Sequence, residues 1–226
     1  MSAAEIEIVL LSVQVALVAT LACLPLAIAV AALLSRPFPG RALVDALVHA
    51  PLILPPVVTG YALLVLFGRR GPLGAPLAEL GIVFAFDWTG AVLAAGIMAF
   101  PLMVRAIRLS MEAVDQKLVA AAKTLGAPGP SIFLRITLPL VAPGILAGAI
   151  LGFAKALGEF GATITFVSNI PGETQTLPLA IYTALQVPGG EAAALRLVLL
   201  SAALSVAALL LSDVVSRAIA RRVGGA

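Results

Sequence analysis

The side chains that could carry chemistry in this sequence are few and stand apart from one another. The single histidine, His49, lies four residues after Asp45, so a helix would place both side chains on one face. Such a pair activates a nucleophile only when a serine or cysteine stands beside it, and neither is in a plausible position. We therefore interpret the pair as an interfacial hydrogen bond. Metal-ligand spacing and a Gly-x-x-x-x-Gly-Lys phosphate loop are also absent from the sequence. We expect no catalytic site, no metal site and no cofactor in this chain, and another subunit would have to bind any ATP.

A second charged pair, Lys155 and Glu159, interrupts a stretch that is otherwise apolar enough for lipid. The i,i+4 spacing lets the ammonium group neutralise the carboxylate on a helix. An ionisable residue inside a membrane is a candidate for function, so Glu159 is a candidate gate residue. A structural or gating role is favoured, and direct contact with a substrate is the alternative.

The composition indicates which elements must hold these residues in place. Of 226 residues, 62% are hydrophobic and 11% are charged, whereas a soluble domain carries about 25% charged residues. A lipid bilayer is therefore the expected solvent. Five uncharged runs approach or exceed the ~17–25 residues of a spanning helix, namely residues 8–35, 50–68, 88–104, 136–154 and 197–212. We expect an all-α integral membrane protein with about five spans and a single domain over residues 1–226.

The distribution of lysine and arginine predicts how the chain is oriented. Most of them follow the first, third and fifth predicted spans, at Arg36, Arg41, Arg105, Arg108, Lys117, Lys123, Arg135, Arg217, Arg221 and Arg222. The positive-inside rule then places the N-terminus outside the cell and the C-terminus in the cytoplasm. The net charge of +3 reflects this orientation, because the bases flank spans and do not form one nucleic-acid-binding face.

The second predicted span is interrupted by Pro51, Pro55 and Pro56. Prolines remove backbone donors and kink a helix, which a membrane tolerates where protein or a water-filled path satisfies the remaining carbonyls. Pro55 and Pro56 are therefore candidates for a translocation path, and a packing kink without a transport role is an equal alternative. On the outer side, Arg69 and Arg70 would either dock a soluble protein or contact lipid headgroups.

Two further outer segments are too short or too polar to cross a membrane. Residues 73–86 contain Glu79 and predict an interfacial helix or a shallow hairpin. Residues 160–191 are rich in Gly, Pro, Thr, Ser and Asn, and predict irregular backbone with one short helix at residues 177–185.

The predicted cytoplasmic connection, residues 115–135, should form two short helices at an angle. Asp115 is a suitable N-cap, Gly126 is suited to the left-handed position after a helix, and Pro130 fits the first turn of the next helix. Apolar side chains would form a small exposed knob, namely Leu118, Ala121, Ala122, Leu125, Ile132 and Phe133. Such a knob indicates a partner that covers it.

This connection resembles the conserved loop in the membrane subunits of binding-protein-dependent ABC importers. The loop reads Glu-Ala-Ala, three residues, Gly, nine residues and Ile-x-Leu-Pro. It is matched here by Ala121, Ala122, Gly126, Ile136, Leu138 and Pro139, with Ala120 where the family usually has an acid. The resemblance implies two ATPase subunits that bind ATP and Mg²⁺ and grip the loop, with Leu125, Gly126 and Ala127 deepest in the cleft.

A second resemblance covers most of the chain. Residues 156–174, which read ALGEFGATITFVSNIPGET, are similar to the permease subunits of molybdate importers, as are LPPVV at 54–58 and FPLMVRA at 100–106. This resemblance implies a type I importer fold, a homodimer in a bacterial inner membrane and an external molybdate-binding protein. Because sulfate permeases share Gly-Glu-Phe-Gly-Ala, a tungstate or sulfate permease stays an alternative, as does a self-sufficient secondary transporter or channel. On composition alone, Thr163, Ser168 and Asn169 would offer hydroxyl and amide groups to a passing oxyanion.

Overall fold

The computed structural model describes residues 2–223, with side chains described through residue 208 and at residue 210. Over this range the chain forms helices and no strands: α1 Ala3–Leu34, α2 Arg41–Ile53, α3 Pro56–Phe67, α4 Gly74–Glu79, α5 Trp88–Glu112, α6 Gln116–Thr124, α7 Gly129–Ile132, a π turn Phe133–Thr137, α8 Leu138–Leu157, α9 Gly161–Val167, α10 Leu177–Gln186 and α11 Glu191–Val223. The side chains of Arg217, Arg221 and Arg222, which contributed to the predicted orientation, lie outside the described ones.

Four helical runs in the described range are long and apolar enough to cross a membrane: α1, α5, the run from α7 through α8, and α11. Each covers all or nearly all of one of the predicted spans. The second predicted span is broken at the prolines, as expected: residues 50–53 end α2 and residues 56–67 form α3, bent by 110° from it. The bend follows from Pro55 and Pro56, which lack backbone donors and push Leu54 into an extended conformation (ψ 142°). With 12 residues, α3 is about 18 Å long, well short of a hydrocarbon core of about 30 Å.

The centre of the fold is α5, which packs against α1 on one side and α8 on another. The contact with α1 consists mainly of alanines, including Ala16, Ala19, Ala91 and Ala95, all of them buried. On α8, a Cβ at Gly152 would lie 2.6 Å from Met103 Sδ of α5. Small residues at these positions let the backbones approach closely, which is how helices associate in lipid.

The short outer helices occur where the sequence predicts them. α4 occupies part of residues 73–86, and α10 matches the predicted helix at residues 177–185. An unpredicted tie fixes α10: the Ser12 hydroxyl of α1 accepts a hydrogen bond of 2.7 Å from Leu177 N, the first backbone N–H of α10. Ser12 itself donates to Ile8 O at 2.7 Å. The first span therefore caps a helix that begins 165 residues later.

The helix predicted to begin at Pro130 differs from expectation. Instead of forming a separate short helix, α7 continues through the π turn into α8 as one helical run over Gly129–Leu157. In the π turn, Leu138 N donates to Phe133 O, five residues back. Pro139 has no N–H to continue an α-helical pattern at this point. Ile136 and Leu138 therefore belong to the start of a membrane span and not to a separate turn.

Candidate functional site

The first candidate site is the connection between α5 and α8. Asp115 caps α6 as predicted, with its Oδ1 accepting a hydrogen bond of 2.8 Å from Lys117 N. Gly126 has the predicted positive φ, +83°. Gly126 N donates to Lys123 O and Ala127 N donates to Ala122 O, at 3.0 and 3.1 Å. These two bonds form a Schellman motif, so the left-handed glycine sets the direction in which the chain leaves α6.

The exposed apolar surface of this connection is smaller than predicted. Leu125 is 87% exposed and Leu118 is 49% exposed, whereas Ala122 and Ile132 are buried. Phe133 packs against the cluster of α1 and α5 that includes Met103 and Ile107. The prediction that Ala122, Ile132 and Phe133 contribute freely to a knob is therefore wrong, because the continuous α7–α8 run turns Ile132 inward. We call Leu118 and Leu125 the exposed leucines.

The remaining matched positions surround these leucines. Ala120, Ala121 and Pro139 are exposed, and Ala127, Ile136 and Leu138 are half-buried. A Cβ at Gly126 would meet no atom within 4 Å. The glycine is thus required by its backbone conformation, and a partner surface has space to approach it.

The second candidate site is the junction between α8 and α9, where Glu159 lies. Its side chain is 2% exposed and forms an ion pair of 2.7 Å with Lys155 Nζ, as the spacing predicts. The other carboxylate oxygen accepts a hydrogen bond of 3.0 Å from Ala162 N in the first turn of α9. Both oxygens therefore have partners inside the chain, and the carboxylate holds α9 against the end of α8.

The broken second span meets α9 directly. A Cβ at Gly60 of α3 would lie 2.8 Å from Ala162 Cα, and a Cβ at Gly161 would lie 2.7 Å from Pro56 Cβ. Pro55 and Pro56 are otherwise exposed. The short helices α3 and α9 thus contact each other beside Glu159. Each of them begins after a short non-helical interruption.

The three candidate polar residues after Glu159 differ in their surroundings. Thr163 is buried at 2% exposure, inside the packing of α9. Asn169 Nδ2 donates to Leu179 O at 3.3 Å and to Thr183 Oγ1 at 2.5 Å, and its Oδ1 accepts from Gln175 at 3.0 Å. Ser168 alone of the three is exposed. Its φ of +65° and ψ of −156° lie in a region that glycine normally occupies.

Charged side chains tie the ends of the fold together in ways the sequence does not reveal. At one end, Arg108 of α5 bonds Asp45 of α2 at 2.9 Å and Glu112 at 2.8 Å. His49 Nδ1 lies 2.9 Å from Asp45 O, a hydrogen-bond distance within one turn of α2. At the other end, Glu5 of α1 pairs with Arg196 of α11 at 3.0 Å. Spacing along the chain indicates i,i+4 pairs, but it carries no signal for partners on different helices.

Four other polar residues are either exposed on the surface or buried without a hydrogen-bond partner among the described residues. Arg69 and Arg70 follow α3, are exposed, and form no ion pair within the described side chains. The Thr59 and Thr176 hydroxyls are buried, and neither has a hydrogen-bond partner among the described residues. Within the same range, no group of three or more His, Cys, Asp or Glu side chains could hold a metal ion.

Long apolar helices pack around the short helices α3 and α9, and a loop between α5 and α8 is exposed. This arrangement defines a polytopic membrane protein. The sequence model of the family described as "Binding-protein-dependent transport system inner membrane component" matches residues 23–223, and the chain belongs to this family. It is 57% identical to the molybdenum transport system permease protein ModB of Escherichia coli K12, over 97% of both chains. It is 54% identical to the protein of that name from Haemophilus influenzae, again over 97% of both chains.

Solved structures of low sequence identity confirm the fold. A bacterial ABC transporter for the import of alginate contains a chain that superimposes with a TM-score of 0.77 at 17% identity, covering 97% of this chain and 81% of that one. The MetNI methionine ABC transporter, in inward-facing conformations, gives a TM-score of 0.72 at 17% identity, covering 97% and 99%. The predicted importer permease fold is therefore confirmed.

Proposed function

We propose that this chain is the membrane-spanning subunit of a molybdate importer and forms the path of the oxyanion as a homodimer. The observation that carries this proposal is the 57% identity to a molybdenum permease along 97% of both chains. The matched region extends over the break at Pro55, the Glu159 junction and the connecting loop. The chain performs transport, and ATP hydrolysis belongs to a separate subunit.

The connecting loop supports a contact with that ATPase. Leu125 stands almost fully exposed at the end of a capped helix, beside a glycine that leaves open space. Together with the exposed Leu118, it offers an apolar surface that a partner's cleft would cover. Two copies of the loop would receive two ATPase subunits, which hold ATP and Mg²⁺, on the cytoplasmic side predicted from the distribution of basic residues.

Dimerisation supplies the rest of the path. A few helices cannot easily enclose a path alone, whereas two symmetric halves have a seam between them. The exposed apolar residues of the broken span provide surface for a second copy or for lipid, including Ile53, Val57 and Tyr61. ATP-driven approach of the two ATPase subunits would draw the loops together and rock the two halves. An external binding protein would deliver molybdate to the opposite face.

Uptake into proteoliposomes tests the proposal. The permease, its ATPase and its binding protein are reconstituted, and ATP-dependent uptake of molybdate, tungstate and sulfate is compared. We expect uptake of molybdate and little of sulfate. Preferential uptake of sulfate would refute the proposed substrate, and uptake without any ATPase would refute the importer in favour of a self-sufficient transporter.

A matched pair of glycines tests the coupling role of the loop. At both Gly126 (φ +83°) and Gly189 (φ +77°), an added Cβ would meet no atom within 4 Å, so valine costs similar backbone strain at each. Only Gly126 belongs to the connecting loop. Gly126→Val should abolish ATPase co-purification and coupled uptake, while Gly189→Val should retain the ATPase. Equal effects of the two variants would assign the loss to strain and contradict coupling through the loop.

A further inference from the structure

A cavity of about 780 Å³ lies beneath the connecting loop, between the end of α1, the end of α5 and the π turn. Its polar lining comes from four places: Ser35 and Arg36 after α1, Glu112 at the end of α5, Gln116 and Lys123 on α6, and Thr137 in the π turn. This volume lies within the range of about 300–1,000 Å³ that is usual for small-molecule sites. Its lining includes neither the exposed leucines nor any candidate residue of the transport path.

The charge of the cavity is positive. Its acid, Glu112, already bonds Arg108 at 2.8 Å and Arg41 at 3.3 Å. Arg36 and Lys123 form no ion pair among the described side chains, and both are exposed. The two cations therefore remain available to an anion, and Ser35, Gln116 and Thr137 add hydrogen-bonding groups.

The lining also contains apolar side chains, which include Met111, Val119 and Phe133. Arg36 follows directly on a helix of 32 residues, α1, which ends at Leu34. In the orientation of the proposed function, Arg36 thus stands at the level of the cytoplasmic headgroups. A lining that combines cations with apolar side chains, at this depth, matches a molecule that carries phosphate at one end and hydrocarbon at the other.

We propose that this cavity binds the phosphate-bearing headgroup of an anionic phospholipid from the inner leaflet, with Arg36 and Lys123 on the phosphate. The bound lipid joins the end of α1 to α6, and so fixes the connecting loop against the spans. The proposal depends on the proposed function for the side of the membrane on which the cavity opens.

Lipid binding to the purified full chain in detergent tests this site without ATPase, binding protein or oxyanion. Native mass spectrometry would record phosphatidylglycerol and phosphatidylcholine retained by the wild type, by Arg36→Gln/Lys123→Gln and by Arg36→Lys/Lys123→Arg. We expect phosphatidylglycerol to be preferred. Its affinity should fall roughly tenfold or more in the glutamine variant, because each cation near an anionic lipid contributes about fivefold. The conservative variant should retain the lipid.

The matched control is Lys117→Gln/Arg135→Gln, which removes two exposed cations of the same connection that do not line the cavity. It should change phosphatidylglycerol affinity by less than about twofold. Equal losses in both glutamine variants, or equal retention of phosphatidylcholine, would overturn the proposal. Displacement of the lipid by millimolar inorganic phosphate would assign the cavity to a free anion instead. A failure of molybdate uptake leaves these readouts unchanged, so the two proposals fail separately.

Discussion

Glu159 lies deep in the fold with both carboxylate oxygens in contact with partners from this chain. Lys155 takes one oxygen at 2.7 Å and Ala162 N takes the other at 3.0 Å. A carboxylate that is paired in this way stabilises the start of α9, and as an acceptor only, 2% exposed, it has no hydrogen to donate to an oxyanion. The geometry therefore supports the structural interpretation of Glu159 over direct contact with an oxyanion.

Substitution of Glu159 should accordingly affect stability before transport. Glu159→Gln keeps the shape but leaves Lys155, whose side chain is 31% exposed, without its counter-charge. We expect a loss of about 1–3 kcal/mol in the free energy of unfolding, because one partner of a largely buried pair is removed. The double variant Lys155→Gln/Glu159→Gln should recover part of the lost free energy of unfolding, because it leaves no charge unpaired. Denaturation followed by Trp88 fluorescence would measure the changes, and an unchanged stability together with abolished uptake would indicate substrate contact instead.

Ser168 combines an exposed hydroxyl with a backbone conformation that suits glycine. Ser168→Gly should raise the free energy of unfolding by about 1 kcal/mol, since relief of roughly 1–3 kcal/mol of strain exceeds the entropy cost of glycine. Ser168→Ala removes the hydroxyl and keeps the strain, so it should lower molybdate uptake only if the hydroxyl contacts the oxyanion. The two variants measured side by side separate these effects. Destabilisation by Ser168→Gly would contradict the strained conformation.

Single residues were predictable where their own type determines the local backbone. Asp115 and Gly126 carry such a signal, because few other residues satisfy a helix start or a left-handed turn as well. Ser12 and Ser168 carry none: a serine in a span has many possible partners, and a serine at positive φ is unexpected from its type. The bond between Ser12 and Leu177 N depends on the packing of α1 against α10, which no local pattern encodes.

At the scale of elements, α6 presents Leu125 to the surroundings. Leu125→Ala should change the free energy of unfolding by less than about 0.5 kcal/mol, because the side chain is 87% exposed. It should nevertheless weaken ATPase binding roughly tenfold or more if the leucine anchors the partner. Binding of the purified ATPase to permease in nanodiscs would measure the change.

Leu80→Ala is the matched control, since Leu80 is 76% exposed and lies at the end of α4, outside the connecting loop. It removes the same apolar atoms from a comparably open position. ATPase affinity should be unchanged in this variant. A similar loss in both variants would show that Leu125 acts through general surface hydrophobicity and is not an anchor.

Elements could be located from the sequence, but the angles between them could not. Uncharged runs and prolines predict the spans and the break at Pro55. They do not predict the angle of 110° between α2 and α3, and they give no sign that α3 packs against the distant α9. The continuation of α7 into α8 was missed because Pro130 fits the start of a separate helix as well as the first turn of a long one. Ile132 was consequently assigned to the surface, although it is buried.

At the scale of the whole molecule, the exposed Arg69 and Arg70 offer positive charge on the predicted outer face. Arg69→Glu/Arg70→Glu should reduce stimulation of ATP hydrolysis by the binding protein roughly tenfold at low salt, and less at high salt, because surface charges are screened. Hydrolysis without the binding protein serves as the control and should not change. Stimulation that is undiminished and insensitive to salt would assign these arginines to lipid headgroups.

The uninterrupted helical run Gly129–Leu157 has a mechanical consequence. Its 29 residues form a rigid rod of about 43 Å that reaches from the connecting loop to the Lys155–Glu159 ion pair at the start of α9. The π turn and Pro143 lie within the run, yet neither divides it into two helices as Pro55 and Pro56 divide α2 from α3. A displacement of about one ångström at the connecting loop, on the cytoplasmic side, would therefore be transmitted with little loss to the contact between α3 and α9.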